Sequence, residues 1–185
     1  GGVGPRVVAA AVVCLGQCWP RKKSLPASHL TMQEHGPWVA EQLHGLMTGT
    51  TWNVRVAALK AITNIIESAY LQPKTPRPPV LTTKEGEHVA LAVTLGLDDA
   101  KFAAVRREAL KAAAAMGERG RDLAVLVPGD KWEAVVEKVT GLLKDKDPDV
   151  LRLAEAALRA INSALEQSAT PMETESKTKD AEMYL

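Results

Sequence analysis

Aromatic side chains are scarce in this chain, making up 4% of 185 residues with a single phenylalanine. Strands use aromatic and β-branched residues to cover a pleated face, so the shortage argues against a sheet-built core. The two cysteines, Cys14 and Cys18, are too few to staple a small secreted fold, and their spacing puts both on one helix face. A reducing compartment is the simpler reading. Charge of one sign is missing too: 23 basic residues stand against 22 acidic ones, leaving no overall field to condense on nucleic acid or an anionic membrane. No apolar run approaches the roughly 20 residues of a bilayer span. The stretch from Val7 to Leu15 has the look of a signal-peptide core, but it lacks an initiator Met and a basic leader beyond Arg6. Neither nucleic-acid binding nor membrane insertion is expected.

What is present is alanine and leucine at helical spacing. From Arg6 to about Trp19 the chain is apolar on nearly every side, as an inner helix covered by neighbours would be, with Pro5 in its first turn. A basic, proline-punctuated loop, Pro20 to Ser28, follows. Helicity resumes near Pro37 and stops at Gly49. Thr50 or Thr51 is placed to cap the next helix, where Val54, Ala58, Ile62, Ile65, Ile66 and Ala69 draw one apolar stripe. The prolines between Pro73 and Pro79 break any helix there. Glu87–Leu97 pairs with Phe102–Met116, and Lys131–Leu143 pairs with Pro148–Leu165, Asp147 being the cap of the last. The spacing therefore predicts an inner helix over 1–19, hairpins over 37–71, 85–118 and 131–167, and a disordered tail over 168–185.

The hairpins repeat. Trp52-Asn53-Val54-Arg55 aligns with Phe102-Ala103-Ala104-Val105-Arg106 and with Asp147-Pro148-Asp149-Val150-Leu151-Arg152. The arginines lie about 51 and 46 positions apart, near the roughly 40 to 47 of helical-repeat units with one long loop. Gly4-Pro5-Arg6-Val7 reads as a truncated fourth instance. One hairpin with a one-sided stripe cannot bury it, whereas stacked neighbours share a continuous core. The valine then packs inward and the arginine projects to the edge, toward a carboxylate or helix-end carbonyl of the next unit.

Through this turn-Val-Arg-x-x-Ala/Leu pattern the sequence resembles HEAT and armadillo repeats, from Pro37 to Leu165. The resemblance implies an all-α, α-α superhelix, a piece of a longer solenoid. Two positions depart from the family pattern: Asn53, where an acidic turn residue is usual, and Leu151, which separates Val150 from Arg152. Trp52 to Val56, Ala104 to Leu110 and Leu15-Gly16-Gln17-Cys18 are also similar to the C-terminal end of large HEAT-repeat proteasome adaptor and scaffold proteins. That likeness implies a non-catalytic scaffold bound to proteasome subunits and bridging them to other cellular factors. It implies the cytoplasm as location, with the nucleus as a second compartment. A HEAT scaffold of another class, a transport receptor or a phosphatase or kinase regulatory scaffold, stays open as an alternative. An α-helical enzyme would require a deep pocket lined by convergent polar groups.

No constellation for chemistry stands out. His44 with Cys14 and Cys18 offers half of a zinc pattern and lacks the second close pair. Gly117-Glu118-Arg119-Gly120 has neither the preceding strand nor the following Lys-Ser/Thr of a phosphate cradle, and reads as a helix end and loop. Asp98-Asp99 and Asp145 with Asp147 sit in turns, where solvation would keep their acidity ordinary. Ser24, Ser28 and Ser68 lack a nucleophile elbow. No cofactor, metal or small-molecule substrate is expected. Arg21-Lys22-Lys23 could serve as a nuclear address, and Pro73 to Pro79 as a ligand for an aromatic groove. The residues expected to meet protein partners are Arg55, Lys60, Arg106, Lys111, Arg152 and Arg159, along the inner-helix edge. Trp38, Trp52 and Trp132, at helix starts, become anchors wherever they are exposed.

Overall fold

Proline at the first helical position costs no hydrogen bond, and its fixed φ suits the helix. Three helices begin this way in the computed structural model, which describes residues 4–17, 26–69, 83–124 and 127–169. They are α1 (Pro5–Gln17), α2 (Pro26–Gly45) and α7 (Pro148–Ala169), with α3 (Trp52–Ala69), α4 (Thr83–Leu97), α5 (Ala103–Ala124) and α6 (Gly129–Gly141) between them. A 3₁₀ turn, Leu142–Lys144, links α6 to the loop before α7. Among the described residues there is no strand. Cys18, the cluster Arg21-Lys22-Lys23, the prolines 73–79 and residues 170–185 of the expected tail lie outside the described residues.

The helices form two layers. The odd-numbered helices pack in chain order, α1 on α3, α3 on α5 and α5 on α7, while α2 packs on α4 and α4 on α6. Each even helix folds back against the odd helix that follows it. Small residues permit the close approach: Ala57, Ala58 and Ala61 of α3, Ala109, Ala112 and Ala113 of α5, and Ala154 and Ala157 of α7 are all buried. Val54, Val105 and Val150 are buried in three successive odd helices, in the equivalent places that stacking requires.

Three elements differ from the sequence reading. Helix α2 begins at Pro26, so Pro37 and Trp38 lie inside it rather than at its start. A helix tolerates an internal proline when packing outweighs the lost donor, and Val39, Ala40 and Leu43 on the next turns are buried. Helix α5 passes through Gly117 and Gly120 to Ala124. Gly117 is there for contact: a Cβ would meet the backbone nitrogen of Ile161 in α7 at 2.6 Å. Helix α7 reaches Ala169, past the expected onset of the tail.

The two end helices differ in kind. Val7, Ala10, Ala11 and Cys14 form an exposed, mostly apolar stripe on α1. Helix α7 instead exposes Arg152, Glu155, Arg159, Asn162 and Glu166. Its outer side is polar, as at the end of a stack.

Candidate protein-interaction surface

The turns before α5 and α7 each supply a carboxylate, and the inner helix of the preceding unit supplies a guanidinium. Asp99, between α4 and α5, accepts the backbone N–H groups of Lys101 and Phe102 on Oδ1 at 3.0 and 2.9 Å. Its other oxygen lies 2.8 Å from Nη2 of Arg55 on α3. One unit on, Arg106 reaches Asp145 with Nε at 2.8 Å and Nη2 at 3.1 Å. Each arginine also donates from Nη1 to a carbonyl at the start of its own unit, Arg55 to Thr50 at 2.7 Å and Arg106 to Asp99 at 2.8 Å. The result is a ladder whose rungs cross from unit to unit.

The rungs are largely shielded, with side-chain exposures of 16% and 8% for Arg55 and Asp99 and 14% and 9% for Arg106 and Asp145. Burial pushes the Asp145 carboxyl up, but the Asp147 N–H and the Arg106 guanidinium outweigh it and hold the group below the usual carboxylate range. Its acidity is not the ordinary one expected of a solvated turn. Asp147 caps α7, accepting from Asp149 N and Val150 N at 3.0 and 3.1 Å.

The Arg55 and Arg106 side chains thus join units to one another, which leaves few N–H groups to offer a partner. The acidic turn position of the first unit falls at Thr50, whose carbonyl plays the part of the Asp99 carbonyl, and not at Asn53. Counting 45 positions from Val105 to Val150 puts Leu151, half-buried, where Arg106 stands in the unit before. The ladder therefore stops at α7. Arg152 lies one position off it, 72% exposed and 3.7 Å from Asp149. It corresponds to Arg107, which reaches Asp149 at 3.3 Å and Asp147 at 3.7 Å.

Lys60, Lys111 and Arg159 are exposed. Lys60 and Lys111 hold equivalent places 51 positions apart, and Lys111 reaches Glu108 at 2.7 Å. At the heads of the same two helices lies an aromatic ledge that a count of charges misses. Trp52 and Phe102, 45% and 37% exposed, stack with ring centroids 6.0 Å apart. The Arg55 guanidinium carbon sits 5.6 Å from the centre of the Phe102 ring. Their shared position at the head of aligned repeats was the available signal. Trp38 is 60% exposed, whereas Trp132 is buried. Among the described residues no three His, Cys, Asp or Glu side chains gather as metal ligands would, and no helix is long and apolar enough to cross a membrane.

Residues 5–160 match the family described as "ECM29, C-terminal ARM-like repeats". The chain belongs to this family. No curated protein matches it. Its fold is similar to a designed armadillo repeat protein, YIII(Dq)4CqI, with a TM-score of 0.56 and 17% identity over 87% of this chain and 60% of that one. An engineered protein from the Northeast Structural Genomics Consortium is similar at a TM-score of 0.55, with 19% identity over 88% of this chain and 64% of that one. These likenesses concern fold alone, and the chain spans less than two thirds of either structure. As an ECM29 C-terminal repeat array, the protein is an armadillo/HEAT-like superhelix, as the repeated valines and arginines predict.

Proposed function

We propose that this array is a non-catalytic scaffold that binds proteasome subunits and bridges them to other cellular factors. The observation that carries the reading is the division of labour among its cations. Arg55 and Arg106 are held in the ladder, while Lys60, Lys111, Arg152 and Arg159 remain exposed on successive inner helices, two of which also carry the Trp52–Phe102 ledge at their heads. Aromatic and cationic anchors on a rigid surface are what protein interfaces concentrate their binding energy on. The partner is proposed from the sequence likeness to proteasome adaptor and scaffold proteins, and the cytoplasm, with the nucleus, is the proposed location.

The test is affinity capture of the tagged protein from cell lysate, read by mass spectrometry. Proteasome subunits are expected with the natural sequence and are expected to fall at least several-fold when Lys60, Lys111, Arg152 and Arg159 are all changed to Glu, with helical circular dichroism unchanged. Recovery of transport or phosphatase components without proteasome subunits would sink the proposed partner.

A further inference from the structure

Besides Arg55–Asp99 and the Arg119 donation to the Glu67 carbonyl at 2.8 Å, the first two hairpins meet at a further polar contact, on the outer layer. His44, near the end of α2, turns its ring toward His88 of α4, with the two Nδ1 atoms 3.3 Å apart. The ring centroids are 5.4 Å apart and the planes tilted by 38°, and both side chains are half-buried. Such a contact is attractive only while at least one of the two rings is neutral. One Nδ1 must carry a hydrogen and donate, and the other must be bare and accept. With both rings cationic, two donors face each other with no acceptor between them.

We propose that the His44–His88 contact makes the α2–α4 seam a proton-sensitive joint, closed when the imidazoles are neutral and loosened when both are charged, while the Arg55–Asp99 rung keeps the same hairpins attached. The surroundings favour this behaviour. Burial, and then the charge of His88, hold His44 below the usual imidazole range, and Glu41, one turn earlier on α2, pulls only weakly the other way. On α4, Lys84 and Glu85 lie one turn before His88, and Glu87 is its neighbour. Leu59 of α3 and Ala109 of α5 meet α4 two turns beyond His88, at Gly96, and both are apolar. Lys138 of α6 pairs at 3.0 Å with Asp98, ten residues beyond His88 at the far end of α4, and the charges acting on His44 are those of His88 and Glu41.

The sign follows from linkage. A histidine whose folded pKa is lowered takes up protons more readily in the opened state. The seam's contribution is complete above the ordinary imidazole pKa of about 6.5 and is lost as pH falls from there through the lowered value of His44. The Arg55–Asp99 rung, closed at 2.8 Å, contains no imidazole. Acidification therefore releases the outer side of the joint and leaves the inner side intact, so the two hairpins can swing about the rung.

Thermal melts and amide exchange of the full chain, between about pH 7.5 and about pH 5.5, test this. The natural protein is expected to lose about 2–4 °C in melting temperature over that range. Amides of α2 and α4 should lose protection, after correction for intrinsic rates, while those of α5 and α7 keep theirs. In His44→Gln and His88→Gln, each able to hold a neutral hydrogen bond, the loss should shrink to background, and either variant alone suffices if the other fails to fold. An equal pH dependence in the natural protein and the variants would overturn the proposal, as would protection lost evenly over all helices.

Discussion

At the scale of single residues, the ladder separates arginines that are alike in sequence. Removing Arg106 strands the shielded Asp145 carboxylate, and breaking a buried pair from one side costs about 3–5 kcal/mol. Because both partners keep some contact with water, the lower part of that range is expected for Arg106→Ala in urea denaturation. Arg152→Ala, on an exposed side chain with one distant partner, should change stability by less than about 0.5 kcal/mol. Much of this was readable beforehand. The repeated Val-Arg step marks an inward side chain and an edge cation, and Leu151 signals the break in the pattern. The acceptors were harder to find, since Asp99 and Asp145 lie some forty residues beyond the arginines they meet, and an acidic residue in a turn looks like a cap. Both residues are in fact cap and rung together, or rung and turn.

At the scale of helices, glycine is what misleads. Its cost of about 1 kcal/mol within a helix makes Gly117 look like a stop, and only the packing of α5 on α7 shows why the helix continues. A methyl group at Gly117 would press on the backbone of Ala160 and Ile161, at 2.8 and 2.6 Å, and a helix backbone has nowhere to yield. Gly117→Ala is expected to destabilise by about 1–3 kcal/mol despite its better helix propensity. Gly129→Ala, with nothing within 4 Å of the added carbon, should be neutral or stabilise by up to about 1 kcal/mol. Paired thermal melts distinguish the two, and a stabilised Gly117→Ala would contradict the close approach. The start of α2 escaped the sequence reading for a related reason. Pro37 looks like a beginning, yet Pro26 fits the first turn equally well, and periodicity alone does not choose between them.

At the scale of the molecule, stability depends on units holding their neighbours, and pH separates the two kinds of joint. The Arg106–Asp145 rung responds to acid. Asp145 has a folded pKa below its unfolded value, so its contribution is full above about pH 4 and lost as pH falls through the lowered value. Asp145→Asn should lower stability near neutrality, where the rung is fully formed in the natural protein, and flatten the acid limb below about pH 4. Stability profiles measured across the whole range check this, and an unchanged acid limb would mean that the carboxylate is not held by its partners. The layered stack, the order of its hairpins and the family pattern were all legible in the sequence, because periodicity and local repeats are local facts. Which side of each helix meets its neighbour, and which cations are left over, depends on register between units and required the structure.

The ladder has a bearing on protein engineering. A block comprising α4 and α5, cut out alone, would carry a carboxylate awaiting an arginine at Asp99 and an arginine awaiting a carboxylate at Arg106. Placed head to tail with a copy of itself, that block supplies each missing partner from the adjoining copy, which makes it a self-compatible brick for longer arrays.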